Sequence, residues 1–163
     1  MKKILLIITI FFALIGCNES KNQNPDTVIN IEDTQVPEIK EMDIKDHSVN
    51  NAWVNEIKLD NGKKWQANLE TNEGVDKMLK LVKSSDPKTI KEYHELASKL
   101  NGHKNFLVKK CTMEGPSHDN LHIFLHPLIE KIEILQNVST TNEGLKAKAS
   151  IKENLEGYYN YFQ

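Results

Sequence analysis

The stretch "SHDNLHIFLHPLIEKIEILQN", residues 117–137, decides the fold of this chain. Its apolar side chains recur every three or four residues, which is the spacing of one face of an α-helix. That face comprises Leu121, Leu125, Leu128, Ile129, Ile132 and Leu135. Because serine often caps a helix N-terminus, Ser117 predicts a helix from His118 to about Asn137. A helix with such a face is stable only when the face packs against other elements.

Two helices are predicted before this one. The sequence "VDKMLKLV", residues 75–82, has the same period and indicates a first helix from about Leu69 to Lys83. Asp86 and Pro87 suit the N-cap and the first position of a second helix, which we expect to run to Cys111. Its predicted buried face comprises Ile90, Tyr93, Ala97, Leu100, Leu107 and Cys111.

A fourth helix is predicted to run to the C-terminus, with Thr140 or Thr141 as its N-cap. Its apolar face comprises Leu145, Ala149, Ile151, Leu155, Tyr158, Tyr159 and Phe162. The connections between all four helices are short. The sequence therefore predicts an all-α fold, an up-down-up-down four-helix bundle.

The segment before the first helix is predicted to form a short β-hairpin. In "NEIKLDNGKKWQAN", residues 55–68, two short extended runs flank the turn residues Asp60, Asn61 and Gly62. An isolated hairpin is not stable in water. We therefore expect Trp65 to anchor it against the bundle.

The N-terminal sequence is typical of a bacterial lipoprotein. Residues 1–16 combine two lysines with an apolar run that is shorter than the roughly 20 residues of a spanning helix, which predicts a signal peptide. Cys17 is then the expected lipidation site, and the lipid would anchor the protein to a membrane of the cell envelope, on the periplasmic side or the cell surface. Residues 17–51 are polar and are predicted to be a disordered tether, which leaves 52–163 as the folded domain.

The composition argues against a nucleic-acid partner. The formal net charge is −2, and loss of the signal peptide would leave 19 lysines against 23 acidic residues, a net charge of −4. The sequence contains no arginine, so it lacks the planar fork that favours phosphate and guanine recognition. Cys111 is the only cysteine other than Cys17, so no disulfide framework is expected either.

Three histidines in the third predicted helix form a candidate metal site. His118, His122 and His126 follow one another at intervals of four residues, so neighbouring rings lie one turn apart on the same side of the helix. A pair with this spacing can bind one metal ion. Pro127 predicts a kink just beyond His122, because it removes the hydrogen bond to the Ile123 carbonyl. The kink favours His118 with His122 as the binding pair.

Sulfur ligands lie close to this pair in the sequence. Cys111 is expected at the end of the second helix and Met113 in the following turn, so both should meet His118 and His122 at one end of the bundle. This soft set favours Cu(I), and cysteine with histidine also suits zinc. Residues expected to support the site from the same end are Trp65, Asn68, Glu70 and His126.

Two stretches carry a resemblance to a family of small exported bacterial proteins. "GKKWQANLETNEGV", residues 62–75, and "KKCTMEGPSHDNLHIFLHPLIEKIEIL", residues 109–135, resemble the W-x-x-N and K-C-T-M-x-G-x-x-H-x-x-L-H patterns of that family. The resemblance covers roughly residues 62–162 and implies a four-helix bundle in the periplasm or at the cell surface, without an established activity. The matching positions are Trp65, Asn68, Cys111, Met113, His118, Leu121 and His122.

Function classes other than metal binding remain open at this point. A haem-binding bundle of the cytochrome type would use Met78 or Met113 with one of the three histidines, although no C-x-x-C-H attachment motif is present. A non-catalytic structural or interaction module is the other alternative. An enzyme is the least supported class, because the sequence shows neither an oriented base nor an oxyanion site. The metal-binding hypothesis includes a partner protein to which the ion is passed.

Overall fold

The computed structural model describes residues 50–163, which form a helical bundle of four helices. The helices are α1 (Leu69–Ser84), α2 (Ile90–Lys110), α3 (Gly115–Asn137) and α4 (Thr141–Tyr161). A short 3₁₀ helix, Ala52–Asn55, precedes them. Among these residues, no helix combines the length and the apolar character needed to cross a bilayer.

The core lies between all four helices. Each helix packs against the next one in the chain, and α1 also packs against α4. The 3₁₀ helix covers part of α3 and buries Trp53, whose ring meets Phe124 edge-on at 5.5 Å between centroids. The largest fully buried side chains include Tyr158, Phe124, Lys131, Phe162, Met78 and Leu100.

Helices α1 and α4 begin where the sequence predicts. α1 starts at Leu69 as expected and ends one residue beyond the predicted Lys83. Of the two candidate caps for α4, Thr140 takes the position: its side chain accepts from the Glu143 backbone N–H, and the Glu143 carboxylate accepts from the Thr140 N–H. This reciprocal pair satisfies two backbone donors that the first turn leaves open.

The predicted start of α2 at Asp86 and Pro87 is wrong. The helix begins at Ile90 with Thr89 as N-cap, because Thr89 and Glu92 form a second reciprocal pair. The Glu92 carboxylate also accepts from the Lys88 N–H at 2.6 Å. Asp86 instead holds the Lys88 ammonium at 2.7 Å in an exposed ion pair.

The N-cap predicted for α3 is also wrong. The helix begins at Gly115, with Glu114 as N-cap and Pro116 in the first turn. Proline suits this turn, because the N–H that it lacks would have no partner there and its φ already matches a helix. Ser117 lies inside the helix, where its hydroxyl donates to the Glu114 carbonyl. The helix continues through Pro127 to Asn137, as the periodicity predicts.

The predicted hairpin is reduced to a turn. Asp60 and Lys63 exchange two backbone hydrogen bonds of 2.8 and 2.9 Å around Asn61 and Gly62, which both have positive φ. The residues beyond this turn pair with the C-terminus rather than with the first arm: the Trp65 N–H donates to the Tyr161 carbonyl at 2.7 Å. In the described part of the chain, the pairing therefore consists of isolated bridges without strands.

The buried face of α4 matches the prediction at Ile151, Leu155, Tyr158 and Phe162, but it differs near the start of the helix. Leu145 is 59% exposed and Ala149 is exposed, whereas Gly144 and Ala147 are buried. The cause is the close approach of α2, since a Cβ on Gly144 would lie 2.6 Å from the Tyr93 ring. Ile90 of α2 also lies at the surface rather than in the core, with 37% exposure.

The predicted signal peptide and the lipidation site Cys17 lie outside the described residues, as does the tether except for its last two positions. Of these two, Asn51 makes contacts with the bundle. Its side chain accepts from the Lys131 ammonium at 2.7 Å and donates to the Glu153 carboxylate at 3.1 Å.

Candidate metal centre

The three histidines form a continuous row on α3. The Nε2 atoms of His118 and His122 lie 3.2 Å apart, and the Nδ1 atom of His122 lies 3.3 Å from Nε2 of His126. One proton on each ring lets both contacts be N–H···N hydrogen bonds. Two nitrogens that each lie about 2.0–2.1 Å from a tetrahedral zinc ion would themselves be about 3.3 Å apart, so the same spacing also fits a shared ion.

The surroundings of the central ring favour its neutral form. Desolvation by the surrounding side chains lowers the pKa of His122, and the positive charges that His118 and His126 carry when protonated lower it further. Asp119 acts in the opposite direction, as the weakest of these influences. A neutral imidazole has a free lone pair, which is the form that binds a metal ion.

Cys111 lies against the same row. It follows the last residue of α2 and is half-buried. A cavity of about 140 Å³, here called the Cys111 cavity, lies between α2 and α3; its lining comprises Leu107, Val108, Cys111, His118, Leu121, His122, Leu125, His126 and Ile129. Cys111 and the three histidines therefore line one cavity.

Met113 does not line the Cys111 cavity. It is half-buried and packs against the core from the turn between α2 and α3. Met78, the other methionine considered for a haem, is fully buried in α1 and lines neither this cavity nor the larger one described below. The expected meeting of Met113 with the histidines is therefore not seen.

Some of the residues expected to support the site lie near it, and others do not. His126 belongs to the row itself. Asn68 lies next to Cys111, since its amide donates to the Lys110 carbonyl at 3.1 Å and to the Glu70 carboxylate at 2.8 Å. A hydrogen bond from the Glu70 backbone N–H, followed by the one from the Asn68 amide, lowers the pKa of Glu70. Trp65 instead stabilises the loop before α1, because its indole N–H donates to the Lys58 carbonyl at 2.6 Å.

The buried tyrosine of α4 also approaches this end. Burial raises the pKa of Tyr158, with smaller contributions from Tyr159 and Cys111. The Tyr158 hydroxyl therefore stays protonated and donates to the Asn72 side chain at 2.8 Å. This hydrogen bond fixes α4 against α1 close to the thiol.

The ligand set is not assembled in advance. Within residues 50–163, no three side chains of histidine, cysteine, aspartate or glutamate are placed to hold one metal ion together. The two imidazole nitrogens are the part with the required spacing. Cys111 lines the same cavity but is not placed to share an ion with them.

A second cavity lies on the other side of the histidine row. It measures about 360 Å³ and is here called the Trp53 cavity; its lining comprises Asn50, Ala52, Trp53, Glu56, His122, Ile123, His126, Pro127 and Glu130. The sequence did not predict it, because Glu56 and Trp53 come from the segment before α1, for which a hairpin was expected. His122 and His126 line both cavities.

Lys131 is a buried cation that the sequence analysis missed. It lies on α3 with no exposed surface, and its ammonium donates to Asn51 at 2.7 Å and to Asn154 at 2.6 Å. Burial lowers its pKa to about 8, against weaker opposing effects of Glu130 and Glu153. A signal was available, because Lys131 follows the buried Phe124 by seven residues and so shares its face of the helix.

No family model matches the sequence, and neither a curated protein nor a solved structure matches it significantly. The resemblance to the exported bacterial family therefore stays a prediction.

Proposed function

We propose that this protein binds a soft transition-metal ion, with copper favoured and zinc as the alternative, through Cys111, His118 and His122. The observation that carries the proposal is the 3.2 Å separation of the His118 and His122 Nε2 atoms at the wall of a cavity that the cysteine also lines. An incoming ion would bind the two nitrogens first. It would then draw in the thiol, whose deprotonated form is the metal ligand.

The surroundings favour a soft ion over a hydrated one. Besides the thiol and imidazoles, the Cys111 cavity is lined by aliphatic side chains, among them Leu107, Leu125 and Ile129. No carboxylate lines this cavity among the described residues. Thiolate and imidazole without oxygen ligands favour Cu(I), and zinc also accepts this combination.

An up-down-up-down order of the helices accounts for the meeting of these residues. The loop from Cys111 to Glu114 is too short to let α3 start far from the end of α2. The packing of each helix against its neighbour in the chain supports this order. The end of one helix thus supplies sulfur, and the start of the next supplies nitrogen.

The size of the Cys111 cavity favours an ion over a haem group. Its volume of about 140 Å³ is below the roughly 300 Å³ at which pockets for larger organic ligands begin. We further propose that the protein is exported and lipid-anchored through Cys17, which would present the site at the cell envelope and allow transfer to a partner protein. If the following test shows no metal binding, the remaining alternative is a non-catalytic interaction module.

The test is an anaerobic titration of the purified full chain with Cu(I) in competition with a chromogenic chelator. We expect one ion per chain, and we expect replacement of both His118→Ala and His122→Ala to weaken binding by more than the roughly 10–100-fold typical of second-shell changes. Cys111→Ser should weaken Cu(I) binding in the same way.

His103→Ala is the matched control. His103 is a half-buried histidine on α2 that lines neither cavity, so its removal should leave the Cu(I) affinity unchanged. Circular dichroism verifies that each variant keeps its helices. Equal Cu(I) affinities for the wild type and the double variant would exclude the site.

A further inference from the structure

The central histidine uses both of its ring nitrogens. Its Nε2 atom faces His118 at 3.2 Å, whereas its Nδ1 atom faces His126 at 3.3 Å. The row therefore contains two nitrogen pairs with nearly the same spacing. Only the first pair belongs to the proposed Cys111 site, and the second pair needs an explanation of its own.

The second pair borders a cavity of different chemistry. His122 and His126 also line the Trp53 cavity, where Glu56 and Glu130 contribute carboxylates. Glu130 follows His126 by four residues on α3, so its side chain lies on the same side of the helix. Both carboxylates are exposed and free to turn toward an ion between the imidazoles. Imidazole with carboxylate suits a divalent transition metal rather than Cu(I).

We propose that His122 Nδ1 and His126 Nε2, with Glu130 or Glu56, form a second cation position that takes a divalent ion such as Zn(II). This inference deepens the proposed function, because both positions use the His122 ring. A neutral imidazole offers one lone pair, since its other nitrogen carries the proton. The two positions are therefore alternatives: an ion on Nδ1 leaves the proton on Nε2, and an ion on Nε2 leaves it on Nδ1.

The shared ring connects the two cavities. An ion that enters through the Trp53 cavity would meet His126 and His122 first. It would reach the Cys111 cavity by exchanging His126 for His118 as a ligand, while the proton of His122 moves from Nε2 to Nδ1. Competition for this ring means that a soft ion in the inner position excludes a divalent ion from the outer one. The row would then separate the two kinds of ion, because the Cys111 cavity offers a thiol and the Trp53 cavity offers carboxylates.

The experiment titrates the full chain with Zn(II) by calorimetry and compares three variants. We expect His126→Ala to lower the Zn(II) affinity at least about 10-fold, and we expect Cys111→Ser to lower it less than His126→Ala does. His122→Ala should abolish binding of both Zn(II) and Cu(I), and His103→Ala is again the control. Zn(II) binding that falls with Cys111→Ser but not with His126→Ala would overturn the proposal.

A displacement measurement tests the sharing of His122. When one equivalent of Cu(I) is added anaerobically to the Zn(II)-loaded protein, we expect release of Zn(II) to a fluorescent zinc indicator. Retention of both ions on the same chain would overturn the proposal. Failure of Cu(I) to bind at all would instead refute the proposed function, and the dependence of Zn(II) binding on His126 would still decide the second position.

Discussion

At the scale of single residues, Lys131 is the most unusual side chain of the core. It is fully buried, and its partners are the neutral side chains of Asn51 and Asn154. Desolvation therefore destabilises the charged form, and a pKa of about 8 follows. The folded protein consequently gains stability when this ammonium loses its proton.

The stability of the protein should rise between about pH 8 and 10.5, because the unfolded chain then binds a proton that the folded chain has released. We expect the free energy of unfolding to increase by about 2 kcal/mol between pH 7 and pH 9.5 from Lys131 alone. Urea denaturation at the two pH values measures it. Tyr158 and Tyr159, whose pKa values are raised, act in the opposite direction only above their ordinary value of 10.0.

Lys131→Met is the matched variant for this measurement. It removes the titrating group but keeps an unbranched chain of similar length in the core. Its stability should lack the increase seen in the wild type over the same interval. Parallel pH profiles of the two proteins would contradict the assignment of the effect to Lys131.

At the scale of the helices, the period of the apolar residues predicted that four helices exist and roughly where each one runs. The exact ends of the helices depend on which nearby residues form the caps. Thr89 outcompetes Asp86 for the cap of α2 because Glu92 completes the reciprocal pair. The prediction of paired hairpin strands was wrong because of a contact between distant parts of the chain: the Trp65 N–H donates to the Tyr161 carbonyl near the C-terminus. No local pattern reveals a partner so distant in the sequence.

The contact between α2 and α4 gives a prediction at the same scale. Gly144→Ala would place a Cβ 2.6 Å from the Tyr93 ring, and overpacking of this kind costs about 1–3 kcal/mol. Gly102→Ala is the matched control, because a Cβ there meets no atom within 4 Å and alanine favours a helix by up to about 1 kcal/mol.

Urea unfolding midpoints compare the two glycine variants. We expect Gly144→Ala to lower the midpoint and Gly102→Ala to raise it. A stabilising Gly144→Ala would mean that the Tyr93 ring can move aside, and that this close packing does not decide which residues are buried at the start of α4.

At the scale of the whole molecule, the site depends on how the helices are connected. The sequence brought Cys111 near His118 and His122 because only a short turn separates their helices. Met113 packs on the core, and its expected part in the site stays a prediction because the side-chain direction of a turn residue has no periodic signal. The Trp53 cavity escaped prediction because it needs the 3₁₀ helix to cover α3.

The proposed anchor is also a property of the whole chain. Cells grown with labelled palmitate should incorporate the label into the wild-type protein, because Cys17 is the expected acylation site. Cys17→Ser should abolish labelling. Cys111→Ser is the matched control and should keep the label; labelling that follows Cys111 would refute the lipoprotein proposal.

The proposed site requires that one sulfur and two imidazole nitrogens bind the same ion. X-ray absorption spectroscopy of the Cu(I)-loaded full chain measures this directly. We predict a first shell that contains one sulfur from Cys111 and nitrogen scatterers with the outer-shell signature of two imidazoles from His118 and His122. A shell of sulfur alone, or one that is unchanged in the Cys111→Ser variant, would contradict the proposed site.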